Sequence, residues 1–278
     1  ISSTGAPLYE PNPQNGKPIS RCSKSNCVTI INGASNLVIA TVEVGNYPYY
    51  AMCYNPHDNR VYVANMWSAN VSVVDGATDQ VIATVATGAY PQALCYNSQN
   101  NKIYCANWAS DNVTVIDGTT NSVVATVTAG VSPSALCYNP QNNKIYCVNG
   151  APPYTVTVIE GATNEIDAIV PVGEAPNAIC YNSQEVNMLC VCIGSDNVTV
   201  IDGATNQVLA TVAVGDEPRA ICYNDRDDRV YCANYRGSSI SVLRGAAGVA
   251  ENSAPYLLPA VPGATIISGV LLLPPTPS

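Results

Sequence analysis

The chain has 278 residues, of which 11% are charged and 47% hydrophobic, and it carries a net charge of -9. With 11 Lys and Arg against 20 Asp and Glu it offers no basic patch for phosphates, which excludes nucleic acid as a partner. No apolar run reaches the roughly 18 residues of a membrane span, so no transmembrane segment is expected. The chain opens at Ile1 rather than Met, and it is read as a processed, mature form from which a signal peptide has been removed.

A phrase of Tyr-Asn, a polar turn, and Lys/Arg-Ile/Val-Tyr-Cys-Ala-Asn recurs about every 42 residues, at 54–65, 96–107, 138–149 and 223–234. A degenerate copy runs 181–192, and a worn one begins near Asn12. A fixed period of this length means an array of like supersecondary units. Six units follow in chain order, at 5–45, 46–88, 89–130, 131–173, 174–215 and 216–248.

The third unit shows what each builds. Ala93–Tyr96, Ile103–Ala106, Val113–Ile116 and Val123–Val127 are short β-prone runs separated by Asn, Asp, Ser and Gly turns. Four such strands make an antiparallel meander, and radial repetition of that sheet makes a β-propeller. The fold class is therefore all-β, a propeller of about six four-stranded blades over residues 1–248, with seven as the alternative count.

Residues 249–278 break the pattern. A Pro-rich stretch, 255–263, leads into the apolar run ATIISGVLLL, Ala264–Leu273. Ile266, Ile267, Val270, Leu271, Leu272 and Leu273 make it a strand in need of a sheet edge. It closes its own last blade, adds to a neighbouring copy, or forms a partial extra blade or a disordered stub.

Cysteine is abundant, with 12 residues, and eight of them keep register. In a hairpin centred on Asn100, residues whose numbers sum to 200 face each other, which pairs Cys95 with Cys105 and Tyr96 with Tyr104. Opposed strand residues lie within disulfide range. Four hairpin disulfides are thus expected, Cys95–Cys105, Cys137–Cys147, Cys180–Cys190 and Cys222–Cys232; the plainer alternative is buried thiols. Cys22 and Cys27 align with Asn107 and Asn112 and are placed to bridge the second turn of the first blade. Cys53 faces Val63 in this register, and Cys192 faces Asn197, so both are read as outside the disulfide pattern, free thiols or buried side chains.

The runs Tyr-Cys-Ala-Asn, Ser-Asp-Asn-Val-Thr-Val-Ile-Asp-Gly and Val-x-Ala-Thr-Val resemble the YVTN-type β-propeller repeat, and 61–65 read Val-Tyr-Val-Ala-Asn. The resemblance covers most of the chain. It implies a secreted or cell-surface propeller, similar to surface-layer modules of bacteria or archaea, and implies little about activity.

The one His, His57, lies in a polar turn, and no nucleophile-elbow, zinc-protease or P-loop motif occurs. No catalytic residue, metal site or cofactor is assigned, and no enzymatic activity is expected. Asp75, Asp117, Glu160 and Asp202 each precede Gly and read as turn residues. Tyr47, Tyr49, Tyr50, Trp67, Tyr90, Trp108, Tyr154 and Tyr235 fall on loops that share one face, an aromatic rim able to stack sugars or anchor a protein. Asn70, Asn112 and Asn197 match glycosylation acceptors, and also the ordinary start of a third strand.

Two functions follow. The first is a non-catalytic extracellular structural protein, a self-assembling surface-layer or filament subunit joined by donation of strand 264–273. The second is a cell-surface module that binds glycan or protein through the aromatic face.

Overall fold

The computed structural model describes residues 9–10, 16–22, 26–48, 51–244, 249–250, 265–267 and 270–272. Its first sheet holds β1 (Tyr9–Glu10), β2 (Ile19–Arg21), β3 (Cys27–Ile31) and β4 (Val38–Glu43). The second holds β5 (Met52–Asn55), β6 (Arg60–Asn65), β7 (Asn70–Asp75) and β8 (Gln80–Ala86). The third holds β9 (Pro91–Asn97), β10 (Lys102–Asn107), β11 (Asn112–Asp117) and β12 (Val123–Thr128). The fourth holds β13 (Pro133–Asn139), β14 (Lys144–Asn149), β15 (Thr155–Glu160) and β16 (Ile166–Pro171). The fifth holds β17 (Pro176–Asn182), β18 (Asn187–Cys192), β19 (Asn197–Asp202) and β20 (Val208–Ala213). The sixth holds β21 (Pro218–Asn224), β22 (Arg229–Asn234), β23 (Ser239–Arg244) and β24 (Val249–Ala250).

Each sheet is antiparallel and ordered as in the chain, so six blades stand where six repeats were read. The sixth closes with β24, two residues beyond the expected boundary at 248 and ahead of the Pro-rich stretch. The apolar run is not one strand: β25 (Thr265–Ile267) pairs with β26 (Val270–Leu272) as a separate hairpin. Ala264, Leu273 and the 255–263 linker lie outside the described residues.

A third strand such as β11 is buried on both faces, because a neighbouring blade covers each side, whereas the outer β12 is largely exposed. Apolar side chains of successive blades meet in shared cores. Tyr104, Ala106, Val113 and Val115 of the third blade pack with Ile145, Cys147 and Ile159 of the fourth.

In the second to sixth blades the first hairpin differs from the expectation by one residue. Asn97 pairs with Lys102, so the turn has four residues rather than five. Asn97 Oδ1 accepts from the amides of Gln99 (3.0 Å) and Asn100 (3.3 Å), and Asn101 sits at φ 51°, a left-handed position that Asn tolerates. An even loop moves every partner by one. Cys95 faces Tyr104 and Cys105 faces Leu94; Tyr96 faces Ile103 rather than Tyr104.

The same register holds for Cys137 opposite Tyr146, Cys180 opposite Leu189 and Cys222 opposite Tyr231. Neighbouring positions on a strand point to opposite faces, so the four expected hairpin disulfides do not form. All eight cysteines are free thiols. Cys95 packs toward the fourth blade and Cys105 toward the second. Cys53 faces Tyr62 rather than Val63, which places it in the same inner-strand row as Cys95, Cys137, Cys180 and Cys222. Burial pushes the thiols of Cys105 and Cys147 up, the latter to about 12, so they are poor nucleophiles. Cys192 faces Asn197 and is free. Cys22 and Cys27 are bonded, with Cα atoms 5.5 Å apart, at the turn where Asn107 Nδ2 donates to Asn112 Oδ1 (2.8 Å) in the third blade.

Two side chains of the repeat stitch neighbouring blades in the middle of the chain. Tyr62, Tyr104 and Tyr146 are fully buried. Their hydroxyls reach Asn121 (2.8 Å), Asn164 (3.0 Å) and Asn206 (3.0 Å) in the following blade's last turn. Burial pushes the phenols of Tyr62 and Tyr146 up to about 12, which keeps them protonated donors. Asn55 Nδ2 donates to Asn101 Oδ1 (2.8 Å), and Asn97 Nδ2 to Asn143 Oδ1 (2.8 Å).

The Asp-Gly turns close on their own carboxylates. Asp117 Oδ1 accepts from the amides of Thr119 (3.1 Å) and Thr120 (2.8 Å), and Asp202 Oδ1 from Ala204 (2.7 Å) and Thr205 (2.8 Å). The Thr120 and Thr205 amides foremost hold these two carboxyls below the ordinary range. A depressed folded value means that the stabilisation is complete above the unfolded value near about pH 4 and is lost as pH falls through the folded values. Thermal melts from pH 7 to 2 are expected to show a flat melting temperature down to about pH 4–5 and a fall below it. Replacing Asp117 and Asp202 with Asn should flatten that fall; an unchanged profile would refute the assignment.

Candidate binding face

The loops that enter each inner strand and the turns between second and third strands lie together at one end of the blades. Backbone bonds hold them in register. Trp108 N donates to Tyr90 O (3.0 Å), Met66 N to Tyr47 O (3.1 Å), and Tyr235 N to Glu217 O (2.8 Å). Tyr47, Tyr90, Ser132, Ala175 and Glu217 occupy the same loop position, all at positive φ. Glycine precedes this position for a steric reason. A Cβ on Gly88 would lie 2.8 Å from Asn107 Cβ, whose amide closes the adjoining turn.

On this face the structure brings together four of the eight aromatics read from the sequence. Tyr47 and Trp67 stack at 4.5 Å with 7° between planes, and Tyr90 meets Trp108 edge-on at 6.3 Å. Trp67 remains 67% exposed. A cleft of about 320 Å³ runs between the two pairs, lined by Met66, Trp67, Ala69, Ala89 and Tyr90. Tyr235 stands apart on the sixth blade with Arg219 over its ring at 4.4 Å, and Tyr154 is half-buried in the fourth. Tyr49 and Tyr50 lie outside the described residues.

Sequence reasoning missed Arg219, Glu217 and Arg236. Glu217 pairs with Arg219, and its Oε2 lies 2.7 Å from Arg236 Nε, so a charged corner adjoins Tyr235. The signal was available: Glu217 aligns with Tyr47 and Tyr90 in the repeat.

The remaining candidates sit in structural roles. His57 is exposed, with Nδ1 3.0 Å from Asp58 Oδ1. Asn70 and Asn112 accept bonds from Asn65 and Asn107 (both 2.8 Å), while Ser72 and Thr114 are buried against the same amides. Asn197 Nδ2 donates to Ser195 O (3.2 Å). Among the described residues, no three His, Cys, Asp or Glu side chains are grouped to hold a metal, and no helix is long and apolar enough to cross a membrane.

The six radial sheets and their loop-borne face define a β-propeller. Residues 51–242 match the family model of the YNCE-like beta-propeller, and the chain belongs to that family. Among solved structures it is similar to a chain of Kuenenia stuttgartiensis hydrazine synthase, at 14% identity and TM-score 0.55, over 88% of this chain and 97% of that one. It is also similar to a chain in the crystal structure of the mitotic checkpoint complex, at 11% identity and TM-score 0.73, over 88% and 75% of the two chains. At these identities the likeness concerns the fold alone. None of the curated proteins compared matches the chain. The propeller fold supports an interaction or structural role in general.

Proposed function

We propose that this propeller is a non-catalytic extracellular structural protein, a surface-layer or filament subunit that assembles with copies of itself through the C-terminal segment 264–273. One observation carries the reading. Among the described residues, β25 and β26 pair only with each other, and the sixth blade already has its fourth strand in β24. The run around that hairpin contains no charged residue, and a lone two-stranded hairpin is marginal in water. It therefore calls for cover from another surface. The Cys22–Cys27 bond supports an oxidising, extracellular setting.

Sedimentation velocity of the full chain beside a chain ending at Ala250 tests this. The full chain is expected to sediment as oligomers and the shorter one as monomer. Equal monomeric sedimentation would remove self-assembly.

The stacked Tyr47–Trp67 pair beside its cleft favours a second reading, a surface that binds a glycan by ring stacking. Titration with linear oligosaccharides should then shift tryptophan emission in the parent chain and leave Trp67→Ala unresponsive. No shift with any saccharide would sink it.

A further inference from the structure

Among the described residues, five apolar cores join successive blades, from the first and second to the fifth and sixth. None joins the sixth to the first. The sixth blade accordingly shows the face that every other inner blade buries. Tyr104, Ala106, Val113 and Val115 of the third blade are 0% exposed. Their counterparts by register in the sixth are Tyr231 and Val242, half-buried, Ala233, exposed, and Ile240, 39% exposed. Cys222, opposite Tyr231, is exposed as well.

The first blade mirrors this. Ser20, Thr29 and Ile31 are half-buried, where Cys105, Thr114 and Ile116 of the third blade are buried. Among the described residues, a largely apolar face of the sixth blade and a mixed face of the first, Ser20 and Thr29 beside Ile31, thus go without a facing blade, and exposed apolar surface such as the sixth blade's marks an interaction site.

We infer that this open interface is the receptor for the C-terminal hairpin Thr265–Leu272 of a second copy, which enters as a partial seventh blade. The inference rests on the self-assembly reading and deepens it by naming the acceptor. Three observations fit this occupant. The segment is a two-stranded sheet, the kind of element that stacks between blades. It has no charge to bury, and the sixth-blade face it would cover presents Tyr231, Val242, Ala233, Ile240 and Cys222, with Arg229 and Arg244 paired at one end. The 14 residues between Ala250 and Thr265 span up to about 43 Å when extended, which leaves the hairpin free to reach beyond its own blade.

The test uses full-length chains altered on either side of the joint, Ile240→Glu in the acceptor and Leu271→Glu in the donor. Circular dichroism checks that each keeps its sheet content. Each variant alone is expected to lose assembly, because every joint then contains one altered partner. Mixed, they should form one-to-one pairs, since Leu271→Glu keeps an intact acceptor and Ile240→Glu an intact donor. Cys222 should be protected from a maleimide in wild-type assemblies and fully labelled in each variant alone.

Assembly by Ile240→Glu but not by Leu271→Glu would overturn this acceptor while the donor reading stands. Assembly by both would overturn both. Loss of assembly in each, without pairing on mixing, would overturn donor-to-acceptor docking in favour of contact between like faces. A monomeric wild type with Cys222 protected would show the hairpin folded onto its own ring, which also overturns docking by a second copy.

Discussion

Replacing Tyr104 with Ala is expected to cost about 3–5 kcal/mol of stability, the range for removing a large buried aromatic. Tyr104 is 0% exposed and sits in the core shared by the third and fourth blades, with its hydroxyl 3.0 Å from Asn164 Oδ1. Two losses therefore combine, a cavity between blades and a stitch between them. Tyr104→Phe separates them, because it keeps the ring and strands the acceptor; about 1–2 kcal/mol is expected from that alone. Denaturant melts of the two variants give both numbers. Near-equal effects would mean that the ring contributes little, against the packing described.

The second large effect is a gain. Val186 occupies the turn position held by Asn59, Asn101 and Asn143 in other blades, and has φ 59°. A β-branched residue there costs about 1–2 kcal/mol. The same substitution breaks the amide series between blades. Asn55 and Asn97 find an Asn in the next blade, while Asn139 Nδ2 is buried without a partner. Val186→Asn should relieve the backbone and restore the bond together, raising stability by about 2 kcal/mol. Val186→Gly should recover only the backbone part. A destabilised Val186→Asn would contradict the equivalence of the turns.

Much of the fold was legible because the 42-residue period, the β-branched runs and the Asn/Asp turns agree with one another. What failed was a parity. Centring the hairpin on Asn100 rather than between Gln99 and Asn100 turned Cys95 and Cys105 from opposite faces to the same face, and with them three more pairs. The difference lies in one left-handed Asn101, whose conformation composition does not report. Cys22–Cys27 escaped the error because it was placed by alignment with Asn107 and Asn112, which do face each other.

The aromatic face was legible for a related reason, since loops that enter equivalent strands share an end. Its stacking was not, because Tyr47 and Trp67 are brought together only by the backbone bonds between their loops. The exposed side of the sixth blade was hidden as well. Ser239–Leu243 reads like its siblings, and Ile240 is a surface residue because, among the described residues, no following blade packs on it.

Electron microscopy of the native full-length protein tests the central claim most directly. Self-assembly through the C-terminal segment predicts filaments, rings or sheets with a repeat set by one propeller. A field of separate propellers at the same concentration would contradict it.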